Sequence, residues 1–399
     1  MLPTGMRDSV FDPTTPEFLR DPYPSYQRLR AAGQIVRDGP AQWIAARHSA
    51  VAALLRDDRL SSEWPDPFQR MRVGEGPAKD FLLRSVLHRQ GPDHAVLRRL
   101  LLRALHATPA ERVEQIVTGV VDGAIQRGLE RDGQLDLVAD IALPVPVAVA
   151  CEQLGIPADD RDRIQGWGFQ IIKAFTVMLA DEDRPGVHRA VEGMRAYLES
   201  ALATDSGPSR LLATVSDPRA DGDIDDVELV DNLMFLLVSG FTTTVHALGA
   251  ALATLLRHPD AIDALRSRPE LLPTAVEELI RFDSPIQHVS RNVVEAFEFE
   301  GQKLRAGRVV HLLIGSANRD ERCFADPDRL DITRRPNPHV GFGAGLHACV
   351  GATTGRLEIA SAVRRLLDRS SRIELAGEPI ARPLQVFRSY QRIPVRLTG

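Results

Sequence analysis

The chain has 399 residues, 44% of them hydrophobic and 26% charged, the balance of a globular protein able to bury a core. Its net charge of -5 gives no overall attraction to nucleic acid or to an anionic membrane. The three cysteines, Cys151, Cys323 and Cys349, lie far apart without a C-x-x-C pair, which excludes a disulfide framework or zinc cluster and fits a reducing compartment.

The first thirteen residues carry no apolar run of signal-peptide length, and no later segment is an uninterrupted membrane span. The cytoplasm is therefore the expected compartment, with no membrane or nucleic acid among the expected partners. Residues 34–46 read as strand. Apolar residues at three- and four-residue spacing predict helices over 49–56, 93–107, 110–130, 159–177 and 186–203. The acidic stretch 217–226 (DPRADGDIDD) reads as a solvated connection.

The longest predicted helix covers 226–257. Asp225 and Glu228 form a capping pair at its start, and Pro259 ends it. Its middle is apolar almost all round, which predicts a helix through the interior. Glu278 and Arg281 follow on one face of another helix, at i and i+3. Strands are predicted in 289–300, 308–313 and 384–397, with turns at Gly301, Gly307, Pro336 and Pro338. With no repeat, low-complexity tract or linker, the expectation is a single domain over 1–399, mainly α with small β-sheets.

The most informative stretch is HVGFGAGLHACVGATTGRLE, which starts at His339. Gly341, Gly343 and Gly345 precede Cys349, and Gly351 follows it. Dense glycine lets backbone take positive φ and approach a flat ligand closely. A helix predicted from Val350 puts the Cys349 thiolate near a helix N-terminus, which favours an anion. For Cys151 and Cys323 the expectation is an ordinary buried thiol.

Phe342, Gly343, Gly345, His347, Cys349 and Gly351 match without exception the pattern Phe-Gly-x-Gly-x-(Arg or His)-x-Cys-x-Gly, and here the chain resembles the cytochrome P450 monooxygenases. The resemblance runs from the DPYPSYQRLRAAG stretch at Asp21 to near Pro394. It implies one large P450-type heme domain, with a heme-thiolate loop at 339–351 and an oxygen-site helix at 226–257. It also implies heme b, with Cys349 as axial ligand of the iron, Phe342 beside the thiolate, and Gly343 and Gly351 shaping the loop. His94 and Arg98, at i and i+4 in GPDHAVLRRL, together with Arg291 and His347, match the stations that hold the heme propionates. Glu278 and Arg281 match the family's buried structural clamp and have no catalytic role.

In the long helix the family shows Ala/Gly-Gly-x-Asp/Glu-Thr, which organises dioxygen and its protons. The chain reads Ser239, Gly240, Phe241, Thr242, Thr243, Thr244. Gly240 and Thr243 match, whereas Thr242 stands where the acid is usual. A hydroxyl relays a proton but does not supply one as a carboxylic acid network does. Proton supply through water or the substrate is therefore expected, and oxidative coupling or desaturation stands beside hydroxylation and epoxidation as possible chemistry. No arginine occurs between Ser239 and Thr244, unlike the family's fatty-acid peroxygenases.

By family position the pocket walls include the loop from Trp64 to Leu87, the 167–179 region, 235–243, 287–290 and 387–390. They offer Trp64, Phe68, Met71, Phe169, Phe175, Met178, Phe241, His288 and Phe387. The resemblance further implies a small-molecule substrate, with bacterial secondary metabolism as its setting. Electrons would come ultimately from NAD(P)H through a ferredoxin and ferredoxin reductase, with Arg99, Arg103 and Arg356 as a landing patch. The protein is expected to be a monomer. The alternatives are a peroxide-driven heme enzyme and a heme-based binding or sensing protein that does not turn over.

Overall fold

A computed structural model describes residues 10–176, 178–204 and 224–398, so Val177 and most of the acidic stretch at 217–226 lie outside the described residues. The described helices begin with α1 (Pro16–Arg20), α2 (Tyr23–Ala32), α3 (His48–Leu54), α4 (Asp66–Val73) and α5 (Pro77–Arg84). They continue with α6 (Gly91–His106), α7 (Ala110–Leu129), α8 (Pro144–Gln153), α9 (Arg161–Ile171) and α10 (Arg184–Ala203). The last are α11 (Asp226–Leu256), α12 (Pro259–Ser267), α13 (Leu272–Phe282), α14 (Ile314–Ala317) and α15 (Ala352–Arg369).

The strands are short: β1 (Ile35–Asp38), β2 (Gln42–Ala45), β3 (Leu60–Ser61), β4 (Gln134–Asp136), β5 (Val289–Val293) and β6 (Phe297–Phe299). The remainder are β7 (Gln302–Leu304), β8 (Val309–Leu312), β9 (Arg372–Leu375), β10 (Ile380–Pro383), β11 (Arg388–Arg392) and β12 (Pro394–Thr398). The region from Trp64 to Leu87, expected as a loop, contains α4 and α5. The predicted helix at 159–177 is a shorter α9, flanked by 3-10 turns at Ala158–Asp160 and Ile172–Phe175.

By packing, the chain forms two compact units. The first comprises Met1–Ser62, His246–Cys349 and Ser371–Arg396. Its five-stranded sheet has the order β1-β2-β8-β5-β3, with β2 and β8 parallel and the other pairs antiparallel. Apolar residues of β1, β2, β5 and β8 pack with Val51, Leu54 and Leu55 into one core around Val310 and Leu312. Because side chains alternate along a strand, Arg291 shares the buried face of β5 with Val293, opposite Val310.

The second unit comprises Glu63–Val245, Val350–Ser370 and Leu397–Gly399. Its core gathers Phe81, Leu97, Leu100, Ile164, Val191, Leu233, Leu237 and Phe241 from several helices. The α15 helix is held on α7 by a two-pronged ion pair, Arg365 to Asp122, with both bonds at 2.7 Å.

The 31-residue α11 starts as its sequence dictates: the Glu228 amide donates to Asp225 Oδ1 at 2.7 Å, an N-cap bond. It stops in a tight final turn, where the Arg257 and His258 amides donate to the carbonyls of Thr254 and Leu255, just before Pro259 opens α12. By length and hydropathy α11 could cross a membrane, yet 67% of its most apolar window is buried in protein. It is an interior helix.

Candidate active site

Four features hold the cysteine loop in one conformation. The Val340 amide donates to Asn318 Oδ1 at 2.8 Å, fixing where the loop leaves the preceding segment. His339 Nδ1 accepts from the Gly341 amide, so its Nε2 carries the proton and donates to Glu277 at 3.0 Å. Gly343 and Gly345 take left-handed φ angles of 69° and 71°. Finally, the Cys349 amide donates to the Phe342 carbonyl at 2.9 Å, closing the loop on itself.

Gly345 is required twice over. Besides its φ, a Cβ there would lie 2.6 Å from the Leu55 carbonyl oxygen, which is backbone and cannot step aside. Gly341 is tight in another way, since a Cβ would meet the Ile280 side chain at 2.7 Å. The loop so formed leaves Cys349 exposed, with α15 beginning three residues later at Ala352 behind Gly351 as its N-cap. The other cysteines are unlike it: Cys151 is buried and its thiol is pushed up to about 12, and burial also raises that of half-buried Cys323.

The Glu278–Arg281 pair is fully buried and two-pronged, at 2.7 and 2.8 Å. Arg281 also donates to the carbonyls of Asn318 and Pro327, while Glu278 accepts from Arg334, Asn337 and the Asp331 amide. Apart from the bonds within the pair, these contacts all reach the 318–337 segment that leads into the cysteine loop. Sequence reasoning missed Arg334, because a partner more than fifty residues from Glu278 leaves no local spacing to read.

The four basic residues expected at the propionates differ in state. Arg291 is 8% exposed, and its hydrogen bond among the described residues goes to its neighbour, the Ser290 carbonyl, at 2.9 Å. Among the described residues no carboxylate pairs with it, and burial alone presses its guanidinium down to about 10. His347, in the same unit, has Nε2 within 2.8 Å of the buried Ser62 hydroxyl, a partner the sequence did not suggest. His94 and Arg98 belong to the second unit, on α6. His94 is buried there, with its pKa lowered by burial and then by the Arg98 charge, and Arg98 is half-buried. On that unit too, Arg99 is exposed, while Arg103 and Arg356 are half-buried; Arg356 turns back toward the Ala352 carbonyl of its own helix at 3.4 Å.

The α11 hydroxyls form a ladder. Ser239, Thr242, Thr243 and Thr244 each donate to the carbonyl four residues earlier, at 2.6 to 2.8 Å. Thr242 and Thr244 are buried and Thr243 is half-buried. With its proton directed at the Ser239 carbonyl, Thr243 presents lone pairs, so toward a ligand or water it acts as an acceptor. A Cβ at Gly240 would make an ordinary contact with the Ala150 methyl, at 3.9 Å. Phe241, offered by the sequence as a pocket wall, is instead core. It fills the gap above Gly168, where a Cβ would collide with its ring, and meets Phe169 edge-on at 5.9 Å.

The other aromatic candidates divide. Trp64 stacks on Phe68 at 4.6 Å, and Phe175 contacts Phe81, His88 and Phe235 in the second unit. In the first unit, His288 packs against Phe11 and His311, whereas Phe387 bridges to Ile286 and lies 5.0 Å from the His246 ring. Met71 and Met178 are exposed.

Comparison with known proteins gives the family and the fold. The sequence pattern of the family described as Cytochrome P450 matches residues 187–371. The chain is 33% identical over 392 residues to the vitamin D(3) 25-hydroxylase of Pseudonocardia autotrophica, covering 95% of this chain and 94% of that protein. It is likewise 33% identical over 396 residues to the cytochrome P450 monooxygenase PikC of Streptomyces venezuelae, covering 95% and 92%. Among solved structures, CalO2 superposes with a TM-score of 0.90 at 32% identity over 97% of this chain and 98% of that one.

Proposed function

The chain belongs to the cytochrome P450 family, and from that premise we propose that it is a heme-thiolate monooxygenase that uses dioxygen to oxidise a small organic molecule in bacterial secondary metabolism. It is an oxidoreductase of that family with the family's fold. The observation that carries the reading is the exposed Cys349 thiol on a loop closed by left-handed glycines, with the uncompensated Arg291 buried in the same unit. Proteins rarely bury a guanidinium without an acidic partner, and an exposed cysteine on so constrained a loop is placed to ligate a metal. A flat metal macrocycle bearing carboxylates answers both, so the residues fit heme b.

When bound, the heme supplies an iron centre that takes electrons and activates dioxygen. Cys349 ligates it through the thiolate, and Phe342, Gly343 and Gly351 shape the loop around that sulfur. Arg291 and His347 hold propionate oxygens, as do His94 and Arg98 on α6. A carboxylate facing Arg291 completes its hydrogen bonding and restores the charge balance that burial denies it. Ser62 orients the His347 ring.

On α11, Gly240 adds no side chain of its own near Thr243, and Thr243 accepts a hydrogen bond from a ligand or from water. Thr242 supplies no acidic proton, and its hydroxyl is engaged with the Val238 carbonyl at 2.7 Å. Protons therefore arrive by water or from the substrate, and the chemistry extends to coupling or desaturation. Electrons come from NAD(P)H through a ferredoxin and its reductase, and the enzyme works as a monomer in the cytoplasm.

Two measurements test this. Reduced protein under carbon monoxide should show the red-shifted Soret band of thiolate ligation, and Cys349→Ser should lose it completely; retention of the band refutes the assignment. Product formation with ferredoxin, reductase and NAD(P)H should then exceed that with peroxide alone. Turnover only with peroxide, or none with either supply, moves the protein to the peroxide-driven or the sensing reading.

A further inference from the structure

Arg291 is not the only guanidinium buried without a counter-charge. Arg72, on α4 in the second unit, is 7% exposed, and among the described residues no carboxylate pairs with it. Burial alone presses its charge down to about 10. The nearby acids are engaged elsewhere: Asp66 and Glu75 bind Lys79 and Arg70, and Asp181 binds Arg184. Arg72 Nη2 donates to the Ala174 carbonyl at 2.6 Å and Nη1 to Gln69 Oε1 at 3.1 Å. Two buried donors stay unmatched, Arg72 Nε and Gln69 Nε2. Gln69 is wholly buried, one helical turn before Arg72.

The unmatched atoms on these two side chains are both donors, and they accompany a net positive charge. A cationic or apolar ligand would make matters worse, whereas an anion with acceptor oxygens resolves both deficits. Two donors suit the two oxygens of a carboxylate better than a phosphate, whose further oxygens and greater charge would find nothing here. The surroundings suit the rest of such a molecule. Toward solvent, the Leu179 amide bonds to the Arg72 carbonyl, bringing exposed Met71 and Met178 onto neighbouring strands of chain. Toward the interior, Phe175 follows Ala174 directly and contacts Phe81 and, on α11, Phe235.

We propose that Arg72 and Gln69 form a carboxylate-recognition subsite, so that the substrate is an apolar organic acid held by its acid end and oxidised at a remote position. The inference deepens the proposed function and rests on it. Phe235 precedes Thr243 by two turns and a little more, about 12 Å at the α-helical rise, so the oxidised carbon lies several bonds from the acid group.

The test is a spectral titration of the heme-loaded protein with straight-chain carboxylic acids, eight to eighteen carbons long, and with the methyl ester and primary alcohol of each. The iron spin-state shift reports binding. Wild type should bind the preferred acid about tenfold or more tighter than its ester, the scale of one charge-assisted pair. Arg72→Gln should erase the preference, Arg72→Lys should keep part of it, and Gln69→Glu, by putting a carboxylate beside Arg72, should weaken the acid more than the ester. Products from wild type should carry oxygen away from the carboxyl end. Equal binding of acid and ester, no binding of any acid, or an Arg72→Gln variant weakened equally for both ligands overturns the subsite and leaves Arg72 as a tether of α4. The carbon monoxide band separates this outcome from failure of the heme-thiolate reading, because a protein with the band and without acid preference loses only the subsite.

Discussion

The clamp around Arg281 and the site around Arg72 each bury an arginine, and only one is satisfied. Arg281 meets two carboxylate oxygens and two carbonyls, its acid partner gathers a second arginine, and the Glu278–Arg281 pair is fully buried. Arg72 has one carbonyl and one amide oxygen and no acid. Arg291 resembles Arg72, with a single carbonyl. A buried charge with a complete set of partners is architecture. On the reading proposed above, a buried charge lacking one waits for a ligand to supply it, because the folded chain bears a desolvation cost that the missing partner would remove.

The largest effect should come from breaking the satisfied side. Arg281→Met leaves buried Glu278 with Arg334 as its cationic partner, beside Asn337 and the Asp331 amide, and removing one partner of such a pair costs about 3–5 kcal/mol. Chemical denaturation should show that loss even in heme-free protein; an unaffected midpoint would mean that Arg334 and Asn337 suffice.

Acid should act on the first unit next. His246, His288 and His311 are buried, with pKa values pressed by desolvation to about 3, about 3 and about 4. His311 faces Ser290, Gln42 and the Asp38 charge, His288 faces His311 and Phe11, and His246 faces Ser389, Phe387 and the Arg382 charge. Because the folded values lie below the ordinary 6.5, the unfolded chain binds more protons. Stability is therefore full above about pH 6.5 and falls as the pH drops below it, by roughly 1–2 kcal/mol per histidine between pH 7 and 5. Urea midpoints across that range check the slope, and the double variant H288Q/H311Q should flatten it.

Arg291→Met sharpens the contrast through its sign. Without heme the variant should be as stable as wild type or slightly more so, since an unpaired charge has gone. With heme, retention should weaken by about 1–3 kcal/mol. Loss of stability in the heme-free form would return Arg291 to the architectural class. The smallest effect is expected at Thr242→Asp, which places an acid where the family usually has one. In protein first shown to be fully heme-loaded, product formed per NAD(P)H consumed should change, and unchanged coupling there and in Thr243→Ala would remove both threonines from proton delivery.

Local chemistry made much of this legible. The Asp225 cap, the interior character of α11, the glycine-cysteine pattern and the Glu278–Arg281 spacing all appear within a few residues of one another. What stayed hidden depends on distant chain. Arg334 closes the clamp from another segment, and Ser62 meets His347 across 285 positions. Local preference also gave no sign of one helix. The α8 sequence PVPVAVACEQ has two prolines and three valines, a poor helix by propensity, yet it is helical because nearly every residue is buried and packing overrides preference. Likewise α4 and α5, short and charged, lack the length for periodicity to show.

The interleaving of the two units bears on how the protein is made. The first unit draws on Met1–Ser62, yet it waits for His246–Cys349 and Ser371–Arg396, so nearly two hundred residues separate its first pieces during synthesis. The β2–β8 pairing, Gln42 to Val309, illustrates the delay: β2 leaves the ribosome long before β8 exists. Long-range pairing of this kind is slow and leaves strand edges exposed meanwhile. Most of the second unit is contiguous from Glu63 to Val245 and can gather early, with α15 still to come. The loop of Cys349 is therefore shaped only after β2 and most of the second unit have been made.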